Sequence, residues 1–593
     1  MIFSYRITFL TLLFLGVCSY AQNQPNVIVI LTDDQGYGDM ACHGNPYIQT
    51  PNIDKLYKES LRLTDFHVDA MCAPTRAALM TGKYSARTGV WATIHGRNIL
   101  HKDEKTMADY FKESGYNTAM YGKWHLGDAW PYRPIDRGFN ESFHHAGGVI
   151  GETPDYWNNH YFEGRYIKNS HLSPVTTEYC TDLWFNKALD FIEQQSDKPF
   201  FIYLALNAPH GPYDVDTKYY KHYLEVGLPE STARQYGLIE KIDENLGRFR
   251  QQLNALGVDK NTLIVFMGDN GATAGQKIYN AGMRDRKAQT YNGAHRTFCF
   301  ISWPEGNLET NIDIKALAAH IDLIPTFKEL CDLKTPLAKD LDGISLAKFI
   351  LNPQIKGDPK RVIVTHNQQL YTPKKYKDFE VLTPTFRLSK SSTRDTTLTL
   401  TNILKDPGQK KNIIADHPKV KDMLLKYYEQ WWEHISDRFN ELCPNYLSKK
   451  TDPLLLTAHS WHDNKNKTYN QSHIRAGVID NGFWPLEVLE DGYYIISLRR
   501  WPKELNLPIR AGTPALENIP HVSKKNEGVA VKITSAQLRI NNTSALKKVK
   551  KRSAEIPFKI YLPKGRHELK TVFTDQSEIE RGAYYVYISP ANK

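Results

Sequence analysis

Two short stretches concentrate hard oxygen donors. "TDDQGYGD" (32–39) sets Asp33 and Asp34 side by side, and "GDNG" (268–271) sets Asp269 beside Asn270. Alone, each reads as a turn or a helix cap. Together, three carboxylates and a side-chain carbonyl form a donor set suited to Ca2+ or Mg2+, and unlike a zinc site. A third stretch, "CAPTRAALMTG" (72–82), places Cys72 two residues before Pro74, which suits the first turn of a helix. Position 72 then falls at a helix N-terminus, where backbone N–H groups favour an anion. Arg76, four residues on, shares its helical face. A cysteine, a fixed positive charge and a helix dipole meet where an oxyanion can sit.

Four segments position this chemistry: "PNVIVILTDD" (25–34), "YNTAMYGKWH" (116–125), "PFFIYLALNAPH" (199–210) and "NTLIVFMGDN" (261–270). Each is a short apolar run ending in polar residues. Amphipathic helical stretches lie between them, such as "EKTMADYFKESG" (104–115) and "LWFNKALDFIEQQ" (183–195). That alternation predicts an α/β fold, with a mostly parallel sheet between helices. In such sheets the working residues gather beyond the carboxyl ends of the strands. Here those ends carry Asp33, Asp34, Lys123, His125, His210, Asp269 and Asn270.

The order of motifs now carries a resemblance. "CAPTRAALMTG" resembles the signature of the type I sulfatases, and the likeness continues through "NVIVILTDDQGYGD" (26–39), "GKWHLGD" (122–128), "DRGF" (136–139), "NAPHGPY" (207–213) and "MGDNG" (267–271). It runs in the family's order from about residue 24 to 435. The resemblance implies an alkaline-phosphatase-like core, a bound Ca2+ in preference to Mg2+, and oxidation of Cys72 to Cα-formylglycine by a maturation enzyme. A thiol bonded to sulfur is slow to displace, whereas a hydrated aldehyde offers one hydroxyl to attack sulfur and a second to expel sulfate. By the resemblance, Asp33, Asp34, Asp269, Asn270 and the modified residue 72 hold the metal, and Arg76 helps activate the nucleophile. Lys123 and His125, two apart on an extended segment, are expected to project together and bind the formylglycine and sulfate, with His125 as base. His210 and Lys287 are expected to grip the sulfate and one of them to protonate the leaving alcohol, with His210 favoured because histidine as a residue type titrates nearer neutral pH than lysine. Two positions depart from the family: Thr75 replaces a serine, and in "KAQTYNGAHR" (287–296) Ala288 and Ala294 replace glycines.

Substrate choice falls to loops. "GVWATIHGRNILHKDE" (89–104) offers Trp91, His95, Arg97 and His101, "HHAGGVIGETPDYWNNHYFEG" (144–164) is rich in glycine and aromatics, and Asp214 follows Tyr213. Aromatic faces suit a sugar ring and cations suit a second sulfate or a uronate. Trp91, His95, Arg97 and Asp214 are therefore candidate substrate contacts. These loops and "SLRRWP" (497–502) resemble bacterial sulfatases directed at polysaccharides, so a sulfated glycan is expected, with ulvan or a carrageenan as examples. A phosphodiesterase or phosphonate hydrolase of the same superfamily, or a silent glycan-binding protein with Cys72 unconverted, are the competing readings.

At 593 residues the chain needs more than one core. With 41% hydrophobic and 24% charged residues it is not a disordered chain. The net charge of +10 is spread over a chain with 65 acidic residues, and does not by itself define a partner; no nucleic-acid partner is expected. Arg6, the apolar run 7–17 and Ser19-Tyr20-Ala21 read as a signal peptide, residues 1–21. No stretch is long enough for a membrane span, so an exported protein is expected, periplasmic or else secreted or surface-associated. Cys18, preceded by Val17, is read as part of the leader rather than a lipidated residue. Six further cysteines form neither a disulfide framework nor a zinc site.

The catalytic core is expected over 22–360 and a smaller α+β C-terminal subdomain over 361–448. An appended β-sandwich is expected over 449–593, with strands at 492–502, 528–540, 557–573 and 583–590. "KKVKKR" (547–552) reads as a solvated loop.

Overall fold

Alternate residues of the strand Asn26–Thr32 (β1) enter two different cores. Val27, Val29 and Leu31 pack on one side of the sheet, and Ile28 and Ile30 on the other. A strand buried on both faces must be apolar throughout, which is why its sequence runs without polar alternation. The computed structural model describes residues 24–195, 198–393, 396–448, 453–463, 465 and 467–591. The leader read at 1–21, with Cys18, lies outside the described residues.

Around β1 the sheet is built from Asn117–Lys123 (β2), Glu141–His145 (β3), Phe200–Ala205 (β4), Thr262–Gly268 (β5) and Cys299–Ser302 (β6). Across it they run β6-β5-β1-β4-β2-β3, with short strands completing ten. β1 is parallel to β4 and β5, β2 is parallel to β4 and β3, and only β6 among these six runs antiparallel. The helix Cys72–Thr81 (α1) covers one face through Ala73, Ala77, Leu79 and Met80. The helices Cys180–Glu193 (α2) and Glu230–Ala255 (α3) cover the other through Trp184, Phe185, Ile239 and Ile242. The α/β fold with helices on both faces is as the sequence predicts.

Register places the site. Thr32 pairs with Gly268, so the residues that follow, Asp33-Asp34 and Asp269-Asn270, leave the sheet together. On the other side of β1, Leu31 pairs with Ala205 and Ala205 with Gly122, which brings Lys123 to the same end. A Cβ at Gly122 would stand 2.0 Å from the Ala205 carbonyl oxygen, and its φ is +104°, so only glycine fits.

Downstream, strands Ile363–His366, Phe379–Leu382, Phe386–Lys390 and Thr399–Asn402 form an antiparallel sheet. The helix Pro418–Ser436 packs on it through Leu424, Tyr428, Trp431 and Ile435. Beyond residue 444 two further sheets enclose a core that includes Trp461, Trp484 and Trp501. The strand read at 557–573 is two strands: Ile556–Leu562 lies in one sheet and Gly565–Asp575 in the other. Pro563 supplies no ladder N–H and Gly565 takes φ +124°, and the chain changes sheets there. The strand read at 528–540 begins only at Ile533. Part of "KKVKKR" also departs from its loop reading, since Lys547 and Lys548 end the edge strand Thr543–Lys548. Lysines on an edge strand block pairing with other chains.

Candidate active site

Cys72 opens α1 with Met71 as its extended N-cap, and every residue of that helix is buried. Thr75 donates its hydroxyl to the Asp69 carbonyl at 3.1 Å, tying the turn before the helix to its first turn. Arg76 is fully buried and points at the strand ends. It donates to Asp269 Oδ2 at 2.9 Å and to the Lys123 carbonyl at 3.0 Å, and stands 3.8 Å from Asp33 Oδ1. Its guanidinium thus organises the carboxylates.

Lys123 reaches Asp33 Oδ2 at 2.7 Å. Lys287 reaches Asp34 Oδ1 at 2.6 Å and the Cys72 sulfur at 3.3 Å. Asn270 donates Nδ2–H to Asp34 Oδ1 at 2.8 Å, and the Asp34 N–H donates to Asp269 Oδ1 at 3.0 Å. His210 Nε2 lies 3.5 Å from Asp34 Oδ2, and its Nδ1 meets the Gly211 carbonyl at 2.7 Å. Asp34 sits at φ +70° and His125 at φ +63°, left-handed conformations that non-glycine residues keep only where their surroundings impose them.

Burial sets the electrostatics. Burial opposes charge on Asp33, but Lys123, His210 and Arg76 outweigh it and hold the carboxyl well below the usual range. Burial and the neighbouring Asp33 charge push Asp269 up to about 7. Burial pushes the Cys72 thiol up to about 12, despite Lys123 and Lys287. His125 is held well below the usual imidazole range by burial and by Lys123.

The structure therefore gathers Cys72, Arg76, Lys123, His210, Lys287, Asp33, Asp34, Asp269 and Asn270 at one end of the sheet. The pairing of Lys123 with His125 fails as an alternation, because β2 ends at Lys123 and the left-handed residue 125 turns the chain. His125 Nε2 instead meets the Thr93 carbonyl at 3.1 Å.

Three of the four proposed substrate residues are engaged in the interior. Trp91 packs against Phe439 and donates Nε1–H to the Leu370 carbonyl. Arg97 lies between the Trp91 and Tyr371 rings and donates to the Tyr371 and Glu441 carbonyls. Asp214 accepts both the N–H and the hydroxyl of Ser523, at 2.8 and 2.6 Å. His95 is 7% exposed and lies near His462 and Asp463, so it too presents little surface. Sequence reasoning missed Glu152 and His459, which join His125 in a buried cluster. No spacing signal reveals a pair so far apart in the chain.

A donor set must offer unpaired oxygens to hold a cation. Asp33 Oδ1 and Asn270 Oδ1 are buried and accept no hydrogen bond. Donor atoms of Asp33, Cys72 and Asp269 lie within 4.8 Å of one another. Oxygen donors orphaned beside paired carboxylates fit a hard divalent ion.

Known proteins resemble this chain in sequence and in fold. The sulfatase family profile matches residues 25–333. N-acetylgalactosamine-6-sulfatase of Mus musculus is 30% identical over 368 residues, 57% of this chain and 68% of that protein. Arylsulfatase G of Rattus norvegicus is 28% identical over 382 residues, 56% of this chain and 70% of that protein. Among solved structures, Ps i-CgsB in complex with k-i-k-neocarrahexaose is 26% identical with a TM-score of 0.64, over 70% of this chain and 94% of that one. The chain belongs to the sulfatase family, with the alkaline-phosphatase-like α/β fold. It is an enzyme, a sulfatase.

Proposed function

We propose that the protein hydrolyses sulfate esters on a sulfated saccharide of algal type, such as ulvan or a carrageenan. Asp33, Asp34, Asp269, Asn270 and the modified residue 72 would hold Ca2+. The observation that carries this reading is the pair of orphaned oxygens, Asp33 Oδ1 and Asn270 Oδ1, in a site where donor atoms of Asp33, Asp269 and Cys72 lie within 4.8 Å of one another. A relative named for N-acetylgalactosamine and a neighbour solved with a neocarrahexaose support a saccharide substrate.

With Cys72 converted to formylglycine and Ca2+ bound, the site gains a geminal hydroxyl nucleophile and a Lewis acid for the sulfate oxygens. The chain's own residues do the rest. Arg76 holds Asp269 at 2.9 Å and stands 3.8 Å from Asp33, fixing the two carboxylates that would hold the cation. Lys123 and Lys287 place two ammonium groups by position 72, where they bind the sulfate oxygens and stabilise charge as it shifts. His210, partly open to solvent, protonates the leaving alcohol at Nε2, since the Gly211 carbonyl takes Nδ1. His125 gives Nε2–H to Thr93 and keeps Nδ1 as the basic nitrogen that accepts a proton. Export to the periplasm would bring the enzyme to such a substrate.

The test is sulfate release from defined sulfated oligosaccharides by protein matured in the presence of a formylglycine-generating enzyme. Mass spectrometry across residue 72 reports conversion, and aryl phosphate diesters serve as the competing substrate. Release that chelation removes, Ca2+ restores and Cys72→Ala abolishes is the expected result. Unchanged release in the Cys72→Ala variant would sink the mechanism.

A further inference from the structure

His125, Glu152 and His459 are all buried, and each offers a ligand-type atom within 4.8 Å of the others. Two belong to the strand-end region, whereas His459 comes from a single turn, Ala458–Ser460, after the strand Leu454–Thr457 of the C-terminal sheets. His459 Nε2 stands 3.1 Å from Glu152 Oε2, and its backbone N–H donates to Thr153 Oγ1 at 3.1 Å. The same Glu152 oxygen accepts the Gly148 N–H. Gly148 lies flat against the His125 ring, for a Cβ there would fall 2.1 Å from His125 Cε1.

The C-terminal sheets grip this segment by its backbone as well. The Thr153 N–H donates to the Tyr469 carbonyl at 2.9 Å, and the Gln471 N–H to the Gly151 carbonyl at 2.9 Å. Gln471 Nε2 donates to the Glu152 carbonyl at 3.1 Å. Glu152 is thus fixed on both sides, in main chain and in side chain, by residues beyond 450.

We infer that His459 positions the base His125 through the Glu152 carboxylate, which makes the C-terminal sheets part of the catalytic centre. The inference rests on the reading of His125 as that base. A buried carboxylate keeps its charge only when paired. Burial would raise Glu152, but the His459 charge and the Gly148 hydrogen bond hold it down at about 2. Burial would lower His459, and Glu152 raises it. The largest charges acting on His125 are Lys123, Glu152 and His459, and Glu152 is the anion of these three. An ionised Glu152 beside His125 steadies the imidazolium as Nδ1 takes its proton. Glu152 and His459 exchange no proton themselves. They act as positioning residues.

The experiment compares kcat and KM of the matured, full-length protein and its His459→Gln, Glu152→Gln, doubly substituted and His125→Gln variants. The substrate is the sulfated oligosaccharide that the unaltered enzyme turns over. Melting temperature and conversion of Cys72 are checked for each. Expected is a fall in kcat of about tenfold or more for either single variant, a share of the roughly 10²–10⁴-fold of general base catalysis, with KM within about twofold. The double variant should be no slower than the worse single one, since the pair acts as a unit. Should His459→Gln fail to fold, the near-isosteric Glu152→Gln carries the test. Unchanged kcat in a folded Glu152→Gln or His459→Gln protein, with His125→Gln inactive, overturns the positioning role alone. Full kcat in His125→Gln overturns the base assignment and the inference with it.

Discussion

The Lys287 ammonium stands 3.3 Å from the Cys72 sulfur and 2.6 Å from Asp34 Oδ1, joining segments 215 residues apart. Position 72 is therefore built for an anion or a polarised oxygen. Yet the thiol itself stays neutral there, because burial outweighs the two lysines. The site does not activate the cysteine as it stands, which fits its conversion to another group.

Protein made without the maturation enzyme and freed of metal should show this directly. With the thiol pushed up to about 12, Cys72 should react with iodoacetamide at pH 8 roughly 40- to 100-fold more slowly than free cysteine, after allowing for the greater nucleophilicity of a more basic thiolate. Peptide mass spectrometry across residue 72 measures the rate. Labelling as fast as free cysteine would show that Lys287 and Lys123 dominate over burial.

Which parts of this site were legible in the sequence follows from the range of the signal. Asp33-Asp34, Lys123 and Asp269-Asn270 each end an apolar strand, so local grammar predicts that they meet, and the register of Thr32 against Gly268 brings two of those ends together. Trp91 was not legible, because a loop tryptophan looks the same whether it lines a mouth or packs beneath one. Its partner, the Leu370 carbonyl, is 279 residues away. Likewise the alternation invoked for Lys123 and His125 holds only inside a strand, and β2 stops at Lys123. His459 had no local signal, since its meaning comes entirely from Glu152, a loop residue far away in the chain. The sheet change at Pro563 was in plain view as a proline within an alternating run.

Gly148 gives a second prediction. It is not among the positive-φ glycines, so alanine is permitted by its backbone, and the three heavy atoms nearest the new methyl all belong to the His125 ring, at 2.1, 2.3 and 2.4 Å. Gly148→Ala should displace His125 and lower kcat by about 10–10²-fold, the size of effect a misplacement near 1 Å produces, with a small loss in melting temperature. Steady-state kinetics beside thermal unfolding separates the two effects. A variant with full kcat would mean that the position of His125 is not critical for turnover.

The seam between the strand-end loops and the C-terminal sheets should also govern how stability varies with pH. Asp155 is buried, accepts the Gly151 N–H and the Asn159 amide at 2.9 Å each, and is pushed up to about 7 by burial despite those bonds. Its folded value lies above the unfolded 3.8, so the folded state binds the extra proton in between. That contribution is fully present below about pH 4 and is lost as pH rises through about 7. Lys525, which faces Asp155 and is brought down to about 8 by burial, sets the upper edge of a clean window. Asp155→Asn removes the titration while keeping the shape. Thermal unfolding between about pH 5 and 7.5 should show the variant gaining on the unaltered protein, by at most ~3 kcal/mol in all, since each tenfold difference in proton affinity between the folded and unfolded states corresponds to about 1.4 kcal/mol. A difference that stays constant across the window would show that Asp155 is charged throughout, and would place the pH dependence of this seam on Lys525 instead.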